Sequence, residues 1–394
     1  MAQTFLDSNE LVLNMGPQHP STHGVLRLIL ELDGETVVKI TPVMGYLHTG
    51  IEKNAEDKKY MHVLPMTDRM DYLAPMSNNL VFCLAVEKLL DIEIPPKAQW
   101  LRVLLNELTR IGSHCVWLGT HAMDIGAMSM FLYAFRERER VLEIYEMVSG
   151  QRMMSSYFRI GGVMEDVPPD FEEKVRAILR DFPDRFDEYE ALLTKNKIWQ
   201  GRTKGIAVIS GEDAINCGLS GPSIRGSGVN WDIRKSNPYS SYEKFDFNVP
   251  VGQNGDVFDR YIVRIAEMRE SLKIVQQALD GLPEGAWMAR IPGITPPPKE
   301  EVLFKMEALI FQFKIYTEGF SPPVGEVYQA IESPRGELGY YVRSDGTPKP
   351  YRMHFRTPSF CNLSVLSKMV EGGMIADVVA AIGSIDIVLG DVDR

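Results

Sequence analysis

Cysteine is scarce and scattered. Cys83, Cys115, Cys217 and Cys361 form no CxxC pair. That excludes a zinc ribbon and any iron–sulfur site with local ligand spacing. Lone thiols fit a reducing compartment. Positive charge is also short, with 42 Lys and Arg against 53 Asp and Glu and a net charge of -11. A nucleic-acid surface needs basic clusters, so no nucleic-acid partner is expected. No apolar run reaches the roughly 18 residues of a membrane span. The opening residues have no basic stretch leading into an apolar one, so no signal peptide is expected. There is no GxGxxG on a strand–helix unit, no phosphate-loop lysine, no internal repeat and no low-complexity linker.

What is present is an ordinary globular composition, 45% hydrophobic over 394 residues. That length holds one large core or two to three domains. The twenty methionines read first as core filler and second as the lining of a lipophilic cavity. The pattern predicts an α+β fold. Strands are expected over 5–13, 25–32 and 36–43, with Asp33-Gly34 as a hairpin turn. Helical spacing covers 51–60, 78–90, 98–117, 128–148, 171–195, 256–279 and 300–317. The stretch 119–127, carrying His121 and Asp124, reads as a break between helices. Strands over 326–331, 338–343 and 351–355 predict a second small sheet, followed by short helices and a packed charged tail. The regions are then an N-terminal α/β part (1–60), a helical bundle (61–198), glycine-rich loops with further bundle helices (199–320) and a C-terminal sheet with its tail (321–394).

The stretch Gly16-Pro17-Gln18-His19-Pro20-Ser21-Thr22-His23-Gly24 holds two of the seven histidines. Their spacing invites a helical metal pair, but proline and glycine make it a rigid loop. A non-haem metal site from His19, His23, His48 and His62 fits no local motif, so no metal is assigned. Gly218–Gly228 can offer backbone N–H groups to an anion, yet a well-packed functional loop is the stronger reading.

His19, His23, Tyr72 and Asp124 lie beside turns or helix breaks. Histidine is a proton donor near neutral pH, and a tyrosine hydroxyl can donate to an oxygen gaining charge. A carboxylate beside a histidine fixes its tautomer and raises its pKa. The plainer alternatives are a turn-anchoring histidine, a core or interface tyrosine and a helix-capping aspartate. Spacing alone leaves both sets open.

Five blocks together carry a resemblance: Gly16–Gly24, Tyr46–Lys53, Asp68–Tyr72, Glu332–Glu337 and Gly390–Arg394. Over essentially its whole length the chain resembles the 49-kDa, or D-type, subunit of respiratory complex I, the proton-pumping NADH:quinone oxidoreductase. That family is related in fold to the large subunit of nickel–iron hydrogenases. Those hold their metal with two cysteine pairs, which are missing here. One departure is Thr49, where many members have arginine.

The resemblance implies a quinone substrate, with His23 and Tyr72 hydrogen-bonding its two carbonyl oxygens. It implies that Asp124 pairs with His23, and that His19 and Asp68 are nearby polar residues of the cavity. Loss of a proton by His23 would then leave Asp124 less compensated, the expected start of coupling to the pump. Met70, Leu73 and Met76 are candidates for the isoprenoid-tail channel. No cofactor is expected on this chain alone. The electron donor is a [4Fe–4S] cluster in a neighbouring small iron–sulfur subunit. Further implied partners are the 30-kDa (C-type) subunit, other peripheral-arm subunits and the membrane subunit of the quinone channel. The implied location is peripheral, on the cytoplasmic side of a bacterial plasma membrane. The alternative is the same role in a related complex fed by ferredoxin.

Overall fold

Two small antiparallel sheets bracket a bundle of long helices in the computed structural model, which describes residues 10–394. The first sheet is β1 (Glu10–Met15), β2 (Arg27–Asp33) and β3 (Thr36–Val43), in that order. Residues 5–9 of the expected first strand lie outside the described residues. The tight turn between β2 and β3 needs Gly34 at φ 61°, the left-handed region that favours glycine. Alternation along β2 buries Leu28, Leu30 and Leu32.

Two short helices, α1 (Ile51–Asp57) and α2 (Tyr60–Thr67), replace the single helix expected over 51–60. Then come α3 (Pro75–Leu90), α4 (Pro96–Asp124) and α5 (Met128–Ser149). Proline at the first position suits both α3 and α4, because that N–H has no partner within the helix. α4 is the axis of the bundle and packs on α3, α5, α11 (Val257–Asp280) and α16 (Ile375–Ile385).

The expected break at 119–127 is corrected, since α4 runs unbroken through Gly119 to Asp124. Gly119 is there for a close approach: a Cβ would lie 3.2 Å from Phe131 Cα on α5. The consequence is that His121 and Asp124 share one face of the last turn of α4.

A two-stranded ribbon, β4 (Phe158–Arg159) with β5 (Gly162–Val163), precedes α6 (Phe171–Leu192). The long irregular region then holds four short helices: α7 (Lys197–Thr203), α8 (Gly211–Asn216), α9 (Pro222–Arg225) and α10 (Ile233–Ser236). Gly218–Gly228 is a packing device. A Cβ on Gly221 would sit 2.4 Å from Gly336 Cα, and one on Gly226 would sit 2.7 Å from Arg260 Cγ. Arg225, buried within it, pairs with Glu332 at 2.6 Å and Glu267 at 2.8 Å.

After α11, α12 (Lys299–Phe304) and α13 (Met306–Thr317) split the helix expected over 300–317. The second sheet is β6 (Gly325–Ser333), β7 (Gly336–Ser344) and β8 (Arg352–Arg356). Its first turn, Pro334-Arg335, aims Arg335 into the interior. Then follow α14 (Pro358–Leu363), α15 (Leu366–Val370), α16 and α17 (Leu389–Asp393). The charged tail is buried, as its apolar neighbours suggested. Among the described residues no helix is long and apolar enough to cross a membrane.

Candidate functional site

The His19–His23 loop is a single turn of 3-10 helix, Pro20–Thr22, held at both ends. His19 caps it, its Nδ1 accepting from the Ser21 N–H at 3.2 Å. His23 closes it at φ 53°, and Gly24 follows at φ 87°. Thr22 is buried and donates its hydroxyl to His19 O at 3.1 Å. Loop rigidity therefore comes from capping and from the left-handed corner, and α16 packs against it. The corner turns the ring of His23 inward, so that Nε2 is enclosed without a hydrogen-bond partner.

Tyr72 arrives on the turn between α2 and α3. Asp71 organises that turn, its Oδ1 accepting from the Leu73 and Ala74 N–H groups at 3.1 and 3.2 Å. Its Oδ2 takes the Arg335 guanidinium at 2.6 Å. Tyr72 and Leu73 are half-buried beside it, whereas Met70 and Met76 are wholly enclosed in the core. Those two methionines, expected as channel candidates, are packing residues here. Burial raises the Tyr72 phenol pKa and Asp71 adds to this, while Arg335 pulls the other way.

Arg335 is the link between the two predicted quinone ligands. Beyond Asp71 it reaches Asp386 at 3.3 Å and Ser113 Oγ at 3.1 Å. Its cation also bears on His23. Burial first, and Arg335 second, push the His23 imidazole down to about 4. At neutral pH this ring is neutral.

The C-terminal tail closes the same region. Gly390 fits because a Cβ would meet Met70 O at 2.5 Å and Tyr72 Cε1 at 3.4 Å. Asp391 accepts from the Ser359 N–H at 3.0 Å and is pushed up to about 7, first by burial and then by Asp71. Asp393 accepts from the Gly45 and Leu47 N–H groups at 2.8 and 2.7 Å, which ties the tail to the Tyr46–Lys53 block. A surface pocket of about 420 Å³ lies at that junction, lined by His48, Glu52, Arg352 and Asp393 among others. All five sequence blocks thus meet around Arg335 and the tail.

The expected pairing of Asp124 with His23 is not formed. Asp124 is half-buried at the end of α4, and burial alone pushes its carboxyl up to about 6. His23 has no carboxylate partner, and burial first and Arg335 second hold its ring neutral. Asp68 is buried and accepts from Ser156 Oγ at 2.5 Å, leaving Oδ1 without a partner. Burial pushes it up to about 6 as well. Among the described residues no three His, Cys, Asp or Glu side chains gather as a metal site.

Two residues of this region were not singled out from the sequence. Arg335 stood inside a recognised block with no signal of its own. His121 was assigned to a helix break, although its spacing of three from Asp124 is a helical-face spacing.

The sequence profile of a family described as the 49-kDa subunit of respiratory-chain NADH dehydrogenase matches residues 124–394. The chain is also 64% identical over 392 residues to a D-type NADH-quinone oxidoreductase subunit of Solibacter usitatus, covering 100% of this chain and 96% of that one. It is 62% identical over 384 residues to the D-type subunit of Geotalea uraniireducens and 60% identical over 384 residues to that of Geobacter sulfurreducens, each covering 98% of both chains. The profile starts at Asp124, and the full-length relatives extend the match over the loop and Tyr72 blocks.

Proposed function

The chain belongs to the 49-kDa, or D-type, subunit family of the respiratory-chain NADH dehydrogenase and so is a subunit of an oxidoreductase complex; on that premise we propose that it supplies the headgroup site where quinone is reduced to quinol. The observation that carries this reading is the meeting of the His23 loop and the Tyr72 turn on one buried cation, Arg335. Quinone oxygens gain negative charge as electrons arrive. Fixed donors in a water-poor site stabilise that charge most. Tyr72, as a neutral phenol, donates to one oxygen, and His23, as a neutral imidazole, donates its N–H to the other. Arg335 stabilises the developing charge at longer range. His19 and Asp68 support the cavity's polar wall, and Asp124 is a carboxyl available to His23 once that ring gains a proton.

We assign the electron source to a [4Fe–4S] cluster on a neighbouring small subunit, as membership of this family implies. The exposed apolar side chains of α12 and α13, including Leu303, Phe304, Met306 and Phe313, support cover by neighbouring subunits. We assign among these the 30-kDa subunit, other peripheral-arm subunits and the membrane subunit of the quinone channel. The site then lies on the cytoplasmic side of the membrane, and quinol formation is coupled to proton translocation.

Tyr72→Phe in the assembled complex tests the reading. It removes the hydroxyl and keeps the packing. Quinone reduction should fall about 10²-fold, the scale of a lost proton donor. Unchanged turnover with both short- and long-chain quinones would remove Tyr72 from the site.

A further inference from the structure

His23 is neutral, and that creates a chemical requirement. A neutral imidazole that gives up its only N–H proton becomes an imidazolate, a poor outcome in a buried site. It can pass a proton on only by taking another at its second nitrogen. That nitrogen, Nε2, is enclosed and without a partner.

A second imidazole, His121, stands on α4, and α16 packs against both α4 and the His23 loop. His121 sits in a cage of Trp117 and Trp199, with ring centroids 5.6 and 5.4 Å away. It is fully buried, and neither ring nitrogen has a hydrogen-bond partner. Packing alone does not explain this. Buried histidines are normally hydrogen-bonded, and an apolar side chain would fill an aromatic cage without the desolvation cost.

The fold also makes room for the ring. Gly383 lies inside α16, where glycine costs about 1 kcal/mol of helix propensity. A Cβ there would fall 2.1 Å from His121 Nδ1. The same helix packs on the His23 loop, so α16 is the common wall behind both imidazoles. His23 is itself one of the groups that disfavour a charge on His121.

The groups facing His121 are cationic. From α11, Arg264 stacks over Trp117 at 4.5 Å and donates to Ser384 O at 2.7 Å. Arg260, one turn earlier, donates to Ser384 Oγ at 3.0 Å. Their carboxylate partners are already engaged: Asp386 and Glu267 bear on Arg264, Asp256 and Asp259 bear on Arg260, and Asp386 is also held by Arg335. Burial first, and these cations second, keep His121 neutral, as burial and then Arg335 do for His23. A neutral ring with a free donor and a free acceptor is what a relay requires.

We propose that His121 is the inner partner of His23, a positioning and proton-relay residue that returns a proton to Nε2 as His23 releases one to the quinol oxygen. The proposal rests on His23 being a quinone ligand. At that oxygen an O–H bond forms as the outer N–H bond of His23 breaks. At Nε2 an N–H bond forms as an N–H bond of His121 breaks, through hydrogen-bonded water. His121 takes a solvent proton at its other nitrogen. Both rings end neutral with tautomers exchanged, and one solvent proton is consumed. The electrons come from the iron–sulfur cluster of the neighbouring small subunit.

The test uses the assembled complex with His121→Gln, which keeps a donor and an acceptor but cannot exchange tautomers. The kcat of quinone reduction should fall about 10²-fold with KM for quinone unchanged. The solvent deuterium isotope effect should rise, and the rate should decline more steeply with rising pH. Native kcat, or a lower kcat with native isotope effect and pH profile, overturns the relay. Should His121→Gln fail to assemble, redox-difference infrared spectra of the unmodified complex with 15N-labelled histidine decide. Two imidazoles changing tautomer support the relay, and one or none overturns it. His23→Ala is run alongside. If it leaves turnover intact, the quinone-site reading falls; if it lowers turnover while His121→Gln does not, the relay alone falls.

Discussion

Arg335 Nη1 lies 2.6 Å from Asp71 Oδ2, and both groups are buried. This pair joins the turn between β6 and β7 to the turn that presents Tyr72. It is strong only while both charges are present, because an unpaired buried charge is costly. Asp71→Asn should therefore destabilise the chain by about 3–5 kcal/mol. Thermal unfolding of the variant and wild-type chains checks this. A loss below about 1 kcal/mol would mean that Asp386 alone compensates Arg335.

A glycine tests how closely the tail supports the tyrosine. Gly390→Ala places a methyl group against Met70 O and the Tyr72 ring. Overpacking costs about 1–3 kcal/mol, relieved by moving one of the neighbours. The close contacts are with the Met70 and Arg69 carbonyls, at 2.5 and 3.0 Å, so the backbone turn that presents Tyr72 should shift. The expected result is a raised KM for quinone in an assembled complex, with Gly390→Ser no better.

The fold was largely legible in the sequence, because hairpin turns such as Asp33-Gly34 and amphipathic spacing are local signals. What was not legible depends on contacts between distant segments. Gly119 read as a helix breaker, and only its approach to Phe131 explains its place inside α4. That error moved His121 off the helix and hid it. Asp124 was paired with His23 by resemblance, and the burial that leaves the two groups separate is set by contacts between distant segments. Arg225 looked like part of a glycine-rich loop, and its partners Glu267 and Glu332 lie on α11 and β6.

That arginine gives a prediction of its own. Arg225 ties α9 to both elements through two charged contacts below 3 Å. Arg225→Met keeps much of the volume but leaves Glu267 and Glu332 facing each other with less compensation. A loss of about 3–5 kcal/mol is expected. Arg225→Lys should restore only part of it, since lysine cannot fork between two carboxylates. Equilibrium unfolding of the two variants measures both.

The pH dependence of stability has two opposing limbs, and each is assigned to named groups. Burial is the largest cause that pushes His23 and His114 down to about 4 and His121 to about 3, from an ordinary 6.5. For these histidines the unfolded chain binds more protons than the folded one between pH 6.5 and about 3. Stability therefore falls as pH drops through that window. Burial likewise pushes Asp386 up to about 6 and Asp391 up to about 7, from 3.8. Here the folded chain binds more protons, so stability falls as pH rises from about 4 to about 7. Asp391→Asn should make the rising-pH limb shallower, leaving the share of Asp386, Asp68 and Asp124, and should leave the acid limb in place. His114→Gln should do the reverse, keeping a donor for Glu267, which His114 Nε2 meets at 2.8 Å. Unfolding free energies measured at intervals from pH 4 to pH 8 separate the two. If Asp391→Asn leaves the rising-pH limb unchanged, that limb belongs to the other raised carboxyls, Asp386, Asp68 and Asp124.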